Sequence, residues 1–336
     1  MLRGGGGGRL LLMHLDYNHI ISLENLYLAW REFVRGKKNK KDVGEFALNL
    51  SANIYDLHLE LKNQTYIHGS YESFQIFDPK PRQIHKAIVR DRLVHHAVYR
   101  ILYLKFRQEF IHDSYSCQLG KGTHRALNRF KAFIAKASAN NTKICWVLKC
   151  DVRKFFASID QKILLEILKH HISDQKIIWL LQNIISSFYS TQIGKGLPLG
   201  NLTSQLLVNI YLNEFDQFIK RYFKIKYYVR YADDFVILSR DKQYLVELVS
   251  QIEKFLNQQL KLQLHPDKVF LQTIASGVDF LGWVNFSNHR VLRTATKRRM
   301  FKRLEATDGK PEVAQSYLGM LSHGNSYKLE QIIVQK

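Results

Sequence analysis

The sequence has few of the residues from which a cross-linked or metal-built fold is made. It contains three cysteines, Cys117, Cys145 and Cys150, and no Cys-x-x-Cys or His-Glu-x-x-His segment. Disulfide frameworks and zinc sites need such spacings, so the sequence predicts neither. So few cysteines suit a reducing compartment, and we expect a cytoplasmic protein.

Long apolar runs and prolines are scarce as well. The longest apolar run near the start covers only residues 10–13, and no window approaches the roughly 18 apolar residues of a membrane span. With five prolines and 46% hydrophobic residues, the 336 residues have the composition of a packed globular protein of about two domains. The glycines at 4–8 have no side chains to bury, so residues 1–15 are predicted to form a flexible tail.

Acidic residues are outnumbered by basic ones. The chain has 29 Asp and Glu against 50 Lys and Arg, which gives a formal net charge of +21. A surplus of this size attracts phosphate polymers, because binding them releases condensed counterions. Nucleic acid is therefore the partner that the composition favours.

The sequence mixes helical and strand periodicities. Apolar residues recur on one helical face over 93–102, 206–219 and 245–256. Residues 163–185 read as two helices separated near Ser173 and Asp174. Runs of β type lie at 144–150, 227–231, 235–238 and 278–283. Because these elements follow no strict βαβ rhythm, we predict an α+β fold whose small, largely antiparallel sheet carries helices on one face.

Carboxylates stand at the ends of the predicted strands. Asp151 follows the run 144–150, and Asp233 with Asp234 separates two apolar runs in Tyr228-Val-Arg-Tyr-Ala-Asp-Asp-Phe-Val-Ile-Leu238. This pattern predicts a hairpin with the Asp pair at its tip, although an aspartate-rich turn is also a common structural feature. If Asp151 converges with Asp233, the carboxylates repel one another unless cations neutralise them, which is how a two-Mg²⁺ site for phosphoryl transfer is built. The carboxylates favour a metal-dependent enzyme acting on nucleotides.

Longer motifs around these carboxylates resemble those of reverse transcriptases. Tyr231-Ala-Asp-Asp234 resembles the catalytic signature of the family, and Asp151-Val-Arg-Lys-Phe-Phe-Ala-Ser-Ile-Asp160 is similar to its first palm motif. Further matching segments are Pro79-Lys-Pro-Arg82, Arg90-Asp-Arg92, 116–124, Gly200-Asn-Leu-Thr-Ser-Gln205, Lys268 and Phe280-Leu-Gly-Trp283. The resemblance implies an RNA-directed DNA polymerase with the right-hand fold of fingers, palm and short helical thumb.

One segment departs from most prokaryotic members of that family. They carry Gln-Gly-x-x-x-Ser-Pro at the second palm motif, whereas this chain reads Leu199-Gly-Asn-Leu-Thr-Ser-Gln205. The variant resembles the reverse transcriptases of diversity-generating retroelements. That resemblance implies a prokaryotic or phage-encoded enzyme that copies a template-repeat RNA with errors at adenines. It also implies a small basic accessory protein as partner.

The resemblance assigns roles to the catalytic positions. Asp151, Asp233 and Asp234 match the catalytic carboxylates of the family and are the expected ligands of two Mg²⁺ ions, for which Mn²⁺ can substitute. Val152 is expected to add its backbone carbonyl to this ligand set. Lys268 is the expected general acid for the pyrophosphate leaving group.

A second set of positions is expected to bind the incoming deoxynucleoside triphosphate. Its members are Lys80, Arg82, Phe156, Leu199, Gly200, Ser204 and Gln205. Lys80 and Arg82 supply charge to the triphosphate. Phe156 excludes a 2′-hydroxyl by contact, whereas its neighbour Phe155 is read as core. Leu199 offers only dispersion where most relatives have a glutamine, so base selection is expected to loosen unless Leu199 simply packs.

The primer and the duplex are expected to bind towards the C-terminus. Phe280, Leu281, Gly282 and Trp283 match the segment that holds the primer terminus, and Gly282 permits a close backbone approach. Beyond them, basic residues at helical spacing make a face suited to duplex phosphates. They are Arg293, Lys297, Arg298, Arg299, Lys302 and Arg303. The motif order predicts fingers at 16–89 and 161–197, palm at 90–160 and 198–284, and thumb at 285–336.

Several other functions compete with this one. A group II intron maturase needs a larger region after the thumb than 336 residues hold. A retron enzyme would carry Val-Thr-Gly in its C-terminal part, and this sequence has no such segment there. A viral RNA polymerase would more often show Gly-Asp-Asp and a polar residue at position 156. A retron-type or antiphage-defence reverse transcriptase and a catalytically idle RNA-binding protein on the same fold stay open, although the intact carboxylates argue against idleness.

Overall fold

The computed structural model describes residues 15–77 and 81–335, so Lys80 and residues 1–14 of the predicted tail lie outside the described residues. The helices are α1 (Tyr17–Ile21), α2 (Leu23–Phe33), α3 (Lys41–Leu48), α4 (Leu50–Lys62), α5 (Val89–Phe106), α6 (Thr123–Ala137), α7 (Phe155–Ser158), α8 (Gln161–His171), α9 (Gln175–Ser186), α10 (Leu202–Gln217), α11 (Lys242–Leu260), α12 (Thr294–Ala306), α13 (Pro311–Leu321) and α14 (Tyr327–Val334). The strands are β1 (Tyr71–Ile76), β2 (Arg82–Ala87), β3 (Trp146–Asp151), β4 (Tyr228–Tyr231), β5 (Asp234–Ser239), β6 (Phe270–Thr273), β7 (Val278–Phe280), β8 (Trp283–Asn285) and β9 (Arg290–Leu292).

The chain forms two compact units, of which the first is built around α5. It consists of the described residues up to Ile76 together with Arg82–Phe110 and Ile159–Tyr211. Helices α1, α2 and α3 pack against α5, whose apolar residues over 93–102 are buried as their periodicity predicts. The predicted break at 173–174 is confirmed, because the Asp174 carboxylate caps α9 by accepting hydrogen bonds from the backbone N–H groups of Lys176 and Ile177.

An antiparallel hairpin completes the first unit. Strands β1 and β2 pair from Tyr71 opposite Ala87 to Ile76 opposite Arg82, and most of their side chains are exposed. β2 begins at Arg82, the last residue of the matched segment Pro79-Lys-Pro-Arg82, whose residues 79 and 80 lie outside the described residues.

The second unit consists mainly of Ile111–Ser158 and the described residues from Leu212 onward. Its central sheet has the strand order β4-β5-β3-β6, and every neighbouring pair is antiparallel. Four successive residues of β5, from Phe235 to Leu238, are buried. A strand buried at every position needs cover on both of its faces.

Helices therefore lie on both faces of this sheet, and the predicted arrangement on one face is wrong. On one face Val236 and Leu238 join the apolar side chains of α6. On the other face the Phe235 ring lies 5.1 Å from the ring of Phe215 in α10. The continuous apolar run in β5 explains the difference, since alternate residues point to opposite faces of a strand.

The predicted single strand over 278–283 is also wrong, because the segment is a tight hairpin. β7 and β8 pair with Phe280 opposite Trp283, and β9 completes a three-stranded sheet. Leu281 and Gly282 form the turn with φ of +53° and +85°. A two-residue hairpin turn of type I′ requires positive φ at both central residues, and glycine adopts it without strain.

The last three helices add to the core of the second unit. Met300, Leu304, Leu321 and Ile333 are buried in one cluster with Phe280 and Trp283. No helix among the described residues has the length and apolar character needed to cross a membrane.

Candidate active site

The three predicted carboxylates come together at one end of the central sheet. Asp151 is the last residue of β3 and lies directly opposite Asp234, the first residue of β5. Tyr231 also pairs with Asp234, so Ala232 and Asp233 form a two-residue turn in which Ala232 has φ of +53°. The backbone N–H of Val152 donates to the Asp233 carbonyl at 3.1 Å, which ties the end of β3 to this turn.

Asp234 carries the strongest electrostatic perturbation of the three. Its Oδ1 atom is buried and has no hydrogen-bond partner, and its Oδ2 atom lies 3.8 Å from the ammonium of Lys149. Burial raises the pKa of Asp234 to about 7, helped by the charges of Asp151 and Asp233 and opposed by Lys149. Near neutral pH this carboxyl group therefore binds a proton readily.

Lys268 joins the same cluster through Asp151. It ends a short 3₁₀ turn, Pro266–Lys268, and the preceding His265 donates its backbone N–H to the Asp151 carbonyl at 2.8 Å. The ammonium of Lys268 lies 2.7 Å from Oδ1 of Asp151. The structure thus places the predicted general acid beside the predicted metal ligands.

The donor set suits a hard divalent cation. Mg²⁺ prefers carboxylate and carbonyl oxygens, and the unpartnered Asp234 Oδ1 is an oxygen with spare acceptor capacity. Within the described residues, no three His, Cys, Asp or Glu side chains are arranged as a complete metal site. Lys268 occupies one oxygen of Asp151, so a bound ion has to compete with this ammonium.

A fully buried arginine supports the catalytic turn, and sequence reasoning missed it. Arg230 donates through Nη1 to the carbonyl of Ala232 at 3.0 Å. Its Nε and Nη2 atoms donate to the two oxygens of Asp216 at 2.8 and 2.6 Å, and the Tyr228 hydroxyl donates to the same carboxylate at 2.7 Å. A bidentate pair fixes the guanidinium plane, so Arg230 holds the turn that carries Asp233. The local signal was an arginine between apolar strand residues.

A loop packs along the other side of Arg230 and includes the start of the predicted 116–124 motif. Its Asp113 carbonyl accepts the Arg230 N–H, and Arg230 in turn accepts from the Tyr115 N–H, both at 3.0 Å. The Lys121 ammonium donates to the carbonyls of His112 and Ser114, each at 2.8 Å. Backbone hydrogen bonds therefore fix the loop to β4, and the Lys121 side chain closes the loop on itself.

Phe156 and Phe155 differ in exposure as their predicted roles require. Both lie in the single turn α7, which follows Asp151 by four residues. Phe155 is buried, whereas Phe156 is partly exposed with its ring 5.8 Å from that of Phe155. Phe156 thus presents an aromatic surface in the unit that holds the carboxylates.

The predicted nucleotide-binding residues of the second palm motif lie in the first unit. The Leu199 carbonyl accepts the His85 N–H at 2.9 Å, and Asn201 donates its side-chain amide to the His85 carbonyl at 2.8 Å. Gly200 has φ of +110°, and a Cβ there would meet the Ile84 side chain at 2.7 Å, so glycine is required. These bonds bring the segment against β2, the strand that begins with Arg82.

The start of α10 is held by a buried histidine that the sequence did not reveal. The Thr203 hydroxyl lies 3.1 Å from Nδ1 of His95, and Nε2 of His95 lies 3.0 Å from Nε2 of His68. Burial lowers the pKa of His95 far below its usual range, so the ring is neutral. Of the motif's remaining residues, Ser204 is buried and Gln205 is exposed.

The predicted primer segment and basic face are both in the second unit. The side chains of Phe280 and Trp283 are core residues, so the turn Leu281–Gly282 is the part of that segment available for contact. On α12, Arg298, Lys302 and Arg303 are exposed and Lys297 is half-buried. Arg293 precedes the helix and forms an ion pair with Asp279 at 3.0 Å.

These features coincide with a family match. The profile of the family described as reverse transcriptase (RNA-dependent DNA polymerase) matches residues 78–284, which is more than half of the chain. The chain belongs to the reverse transcriptase family.

The individual relatives are distant. Protein YkfC of Escherichia coli K12 is 25% identical over 286 residues, which cover 72% of this chain and 73% of YkfC. The group II intron-encoded protein LtrA of Lactococcus lactis is 23% identical over 85% of this chain, and the match spans 58% of LtrA. The chain is thus similar to bacterial and intron-encoded members of the family.

Solved structures support the fold. Apo telomerase from Candida tropicalis has a TM-score of 0.53 at 12% identity, covering 67% of this chain and 49% of that one. Telomerase from Candida albicans, solved with the TWJ fragment of telomeric RNA, has a TM-score of 0.50 at 13% identity and covers 74% and 51%. The chain has the right-hand polymerase fold, and it spans about half the length of these telomerase chains.

Proposed function

We propose that the chain is an RNA-directed DNA polymerase, which adds deoxynucleotides to the 3′ end of a primer paired with template RNA. The observation that carries the proposal is the register of the central sheet, in which Asp151 lies opposite Asp234 while Asp233 occupies the adjoining turn. In a chain of the reverse transcriptase family, such a cluster supports phosphoryl transfer.

Asp151, Asp233 and Asp234, with the backbone carbonyl of Val152, are proposed to hold two Mg²⁺ ions, which Mn²⁺ can replace. Such ions, when bound, lower the pKa of the attacking hydroxyl and take up charge on the leaving phosphate. The protein keeps the carboxylates together at the strand ends and leaves Oδ1 of Asp234 available. Because the pKa of Asp234 is raised, a cation that binds there displaces a proton.

Lys268 is proposed to protonate the pyrophosphate as it leaves. Its ammonium sits at the edge of the carboxylate cluster, 2.7 Å from Asp151. An ammonium in that place neutralises developing negative charge whether or not its proton is transferred.

The remaining predicted residues are proposed to select the nucleotide. Phe156 is proposed to exclude a ribose 2′-hydroxyl, and its bulky, partly exposed ring supports this role. Arg82 and Lys80 are proposed to contact the triphosphate, where a guanidinium can bind two oxygens at once. Gly200, Ser204 and Gln205 are proposed to support the templating base.

We further propose that the enzyme belongs to a diversity-generating retroelement and makes adenine-mutagenic cDNA from a template-repeat RNA. The support is Leu199, followed by Gly200 and by the Ser204-Gln205 pair, in place of the usual glutamine and proline. A small basic accessory protein is the expected partner. Three unpaired cysteines agree with a reducing, cytoplasmic setting.

The first test is primer extension on an RNA template with deoxynucleoside triphosphates and Mg²⁺. Asp233→Asn and Asp151→Asn should each lose at least a hundredfold in rate, because removal of a carboxylate weakens metal binding. Asp308→Asn is the matched control, since Asp308 is exposed and its φ of +47° suits asparagine. Extension by either active-site variant at the rate of the control would contradict the site assignment.

The second test addresses the mutagenic proposal through Leu199. Wild-type cDNA, made with any accessory protein present, should carry errors concentrated opposite template adenines. Leu199→Gln restores a donor and an acceptor, and a gain of about 1.4 kcal/mol in discrimination would lower the error frequency about tenfold. Deep sequencing of both cDNA pools on one template measures this. If the wild-type error frequency is low and equal at all four template bases, the mutagenic proposal is wrong and the enzyme is an ordinary reverse transcriptase.

A further inference from the structure

A cavity of about 320 Å³ lies in the second unit, at a place that none of the predicted site residues occupies. Its walls come from three segments: α6, the turn between β8 and β9, and the turn that follows α13. The cationic or titratable side chains among its lining residues are Lys131, His289, Arg290 and His323. None of the lining residues is acidic.

Arg290 is the central group of this cavity and is held rigidly in place. Its Nε atom donates to the His323 carbonyl at 2.5 Å, and its Nη2 atom donates to the Asn128 side chain at 2.8 Å. Its carbonyl accepts the N–H of Asn325 at 2.8 Å, which joins β9 to the turn after α13. Two neutral oxygens and the Trp283 ring, whose centroid lies 5.9 Å from the guanidinium carbon, fix the orientation of the guanidinium without supplying a negative charge.

Within residues 15–77 and 81–335, no carboxylate forms an ion pair with Arg290. Its Nη1 atom is buried and makes no hydrogen bond. Desolvation lowers the pKa of Arg290, and no carboxylate acts to raise it. Arg290 as a whole is half-buried, and withdrawing part of a charge from water costs free energy that an anionic partner offsets. An anion bound in the cavity would pair with this charge.

Two histidines beside Arg290 add further groups that can carry positive charge. The ring of His323 stacks on that of His124 at 3.6 Å, and Nδ1 of His124 is a second buried atom without a partner. Burial lowers the pKa of His124, and the neighbouring His323 and Arg290 lower it further. Cationic and imidazole groups thus crowd together around a cavity without acidic residues.

We propose that this cavity binds one phosphate group of a nucleic-acid strand, with Arg290 and Lys131 as its charged contacts. A guanidinium held in one plane is suited to two phosphate oxygens, while Lys131 acts as a point charge. Asn288 and Asn325 also line the cavity and carry side-chain amides that can donate hydrogen bonds to phosphate oxygens. The strand is the template or primer, so this assignment rests on the proposed function for the identity of its ligand.

The test is the salt dependence of binding to an RNA–DNA duplex, measured by fluorescence anisotropy without Mg²⁺ so that no synthesis occurs. Each phosphate contact contributes about 0.9 to the slope of log K against log salt concentration. Arg290→Gln and Lys131→Gln should each reduce that slope by up to about this amount, and the two together by no more, because both side chains contact the same phosphate. Arg221→Gln removes the same charge from an exposed side chain of the π-helical turn Phe218–Tyr222 and should leave the slope unchanged.

Added inorganic phosphate tests whether the cavity binds a phosphate of a nucleic-acid strand or free phosphate. The melting temperature of the wild-type chain should rise with added phosphate, and that of Lys131→Gln should rise less. A phosphate effect with unchanged slopes in both variants would mean that the cavity binds free phosphate, which overturns the strand assignment. Equal slope changes in all three variants would overturn the site altogether.

Separate control experiments address folding and catalysis. Arg290→Gln also loses the bonds to His323 and Asn128, so its unfolding is compared with that of Lys131→Gln, for which no such bonds are lost. If only Arg290→Gln unfolds, the salt dependence of binding measured for Lys131→Gln decides whether the proposal stands. A chain that shows the expected slopes but extends no primer would contradict the polymerase proposal and keep the site, whereas normal extension with unchanged slopes would overturn the site alone.

Discussion

Among single residues, Arg230 shows how a side chain outside the carboxylate cluster controls its geometry. The Ala232 backbone adopts a positive φ that costs a non-glycine residue about 1 kcal/mol or more. The Arg230 bond to the Ala232 carbonyl holds this conformation, and Asp216 holds Arg230. Asp233 is therefore positioned by a buried ion pair.

Arg230→Met should lower the free energy of unfolding by about 3–5 kcal/mol, because it leaves the Asp216 carboxylate buried without its counterion. The double variant Arg230→Met with Asp216→Leu should recover part of that stability, because no charge is left unpaired although the Tyr228 hydroxyl loses its acceptor. Its primer extension should stay low, since the Ala232 carbonyl still lacks its donor. Chemical denaturation and the Mg²⁺ dependence of kcat measure the two effects. Recovery of activity together with stability would make the pair purely structural.

Phe156→Ala should raise the incorporation of ribonucleotides relative to deoxynucleotides, because alanine opens room for a 2′-hydroxyl. The adjacent Phe155→Ala is the control. Phe155 is buried, so that change should cost about 3–5 kcal/mol of stability without altering sugar selection. The ratio of kcat/KM for matched ribo- and deoxynucleotides decides the matter. Unchanged selection in Phe156→Ala would assign the residue to packing.

The raised pKa of Asp234 predicts how the stability of the metal-free protein depends on pH. Its pKa rises from an ordinary 3.8 to about 7 on folding, so between these values the folded state binds more protons than the unfolded state. Stability should therefore fall as pH rises through this window, by on the order of 4 kcal/mol. Thermal unfolding with EDTA measures the trend, which Asp234→Asn should flatten. Identical pH profiles for the two proteins would show that Asp234 is not responsible.

Among the elements, long runs of one periodicity and the turn at Asp233 were predictable, whereas the tight turn at Leu281–Gly282 was not. The apolar run 235–238 correctly predicted β5, and the aspartate at 174 correctly marked the start of α9. The segment 278–283 read as one strand because Leu281 is apolar, and only the backbone reveals the turn at Leu281–Gly282. The motifs located the carboxylates, whereas the Arg230–Asp216 and His95–Thr203 contacts join distant segments and leave no local pattern.

Substitution of Gly282 tests the β7–β8 turn, and substitution of Gly319 in α13 is the control. Gly282→Ala should lower stability by about 1 kcal/mol, because φ at this position is +85° and alanine is strained there. Gly319→Ala should raise stability by about 0.5–1 kcal/mol, since Gly319 lies in α13 with open space around its Cβ position. Melting temperatures that move in opposite directions support the turn. A neutral or stabilising Gly282→Ala would contradict it.

For the molecule as a whole, the charge of +21 has to be reconciled with a reaction that needs a negatively charged centre. The basic residues are spread over the surface, including α12, while the carboxylates are gathered at the end of one sheet. Under the proposed function, this separation lets the basic surface attract nucleic acid over a distance while the carboxylates bind cations locally. Charge composition therefore indicated the class of partner, and the carboxylate motifs together with the strand register indicated the chemistry.

The same surplus charge predicts a steep dependence of nucleic-acid binding on salt. A protein that contacts about 6–10 phosphates loses roughly 10³–10⁵ in affinity between about 50 and 200 mM salt, because fewer counterions gain entropy on release. Binding to single-stranded RNA should show a shallower slope than binding to an RNA–DNA duplex, since single strands condense fewer counterions. Replacing Arg298 and Lys302, which are exposed on α12, with glutamine should reduce the duplex slope by about two contacts. A flat titration of the wild-type chain would mean that its positive charge serves an acidic partner protein instead of nucleic acid.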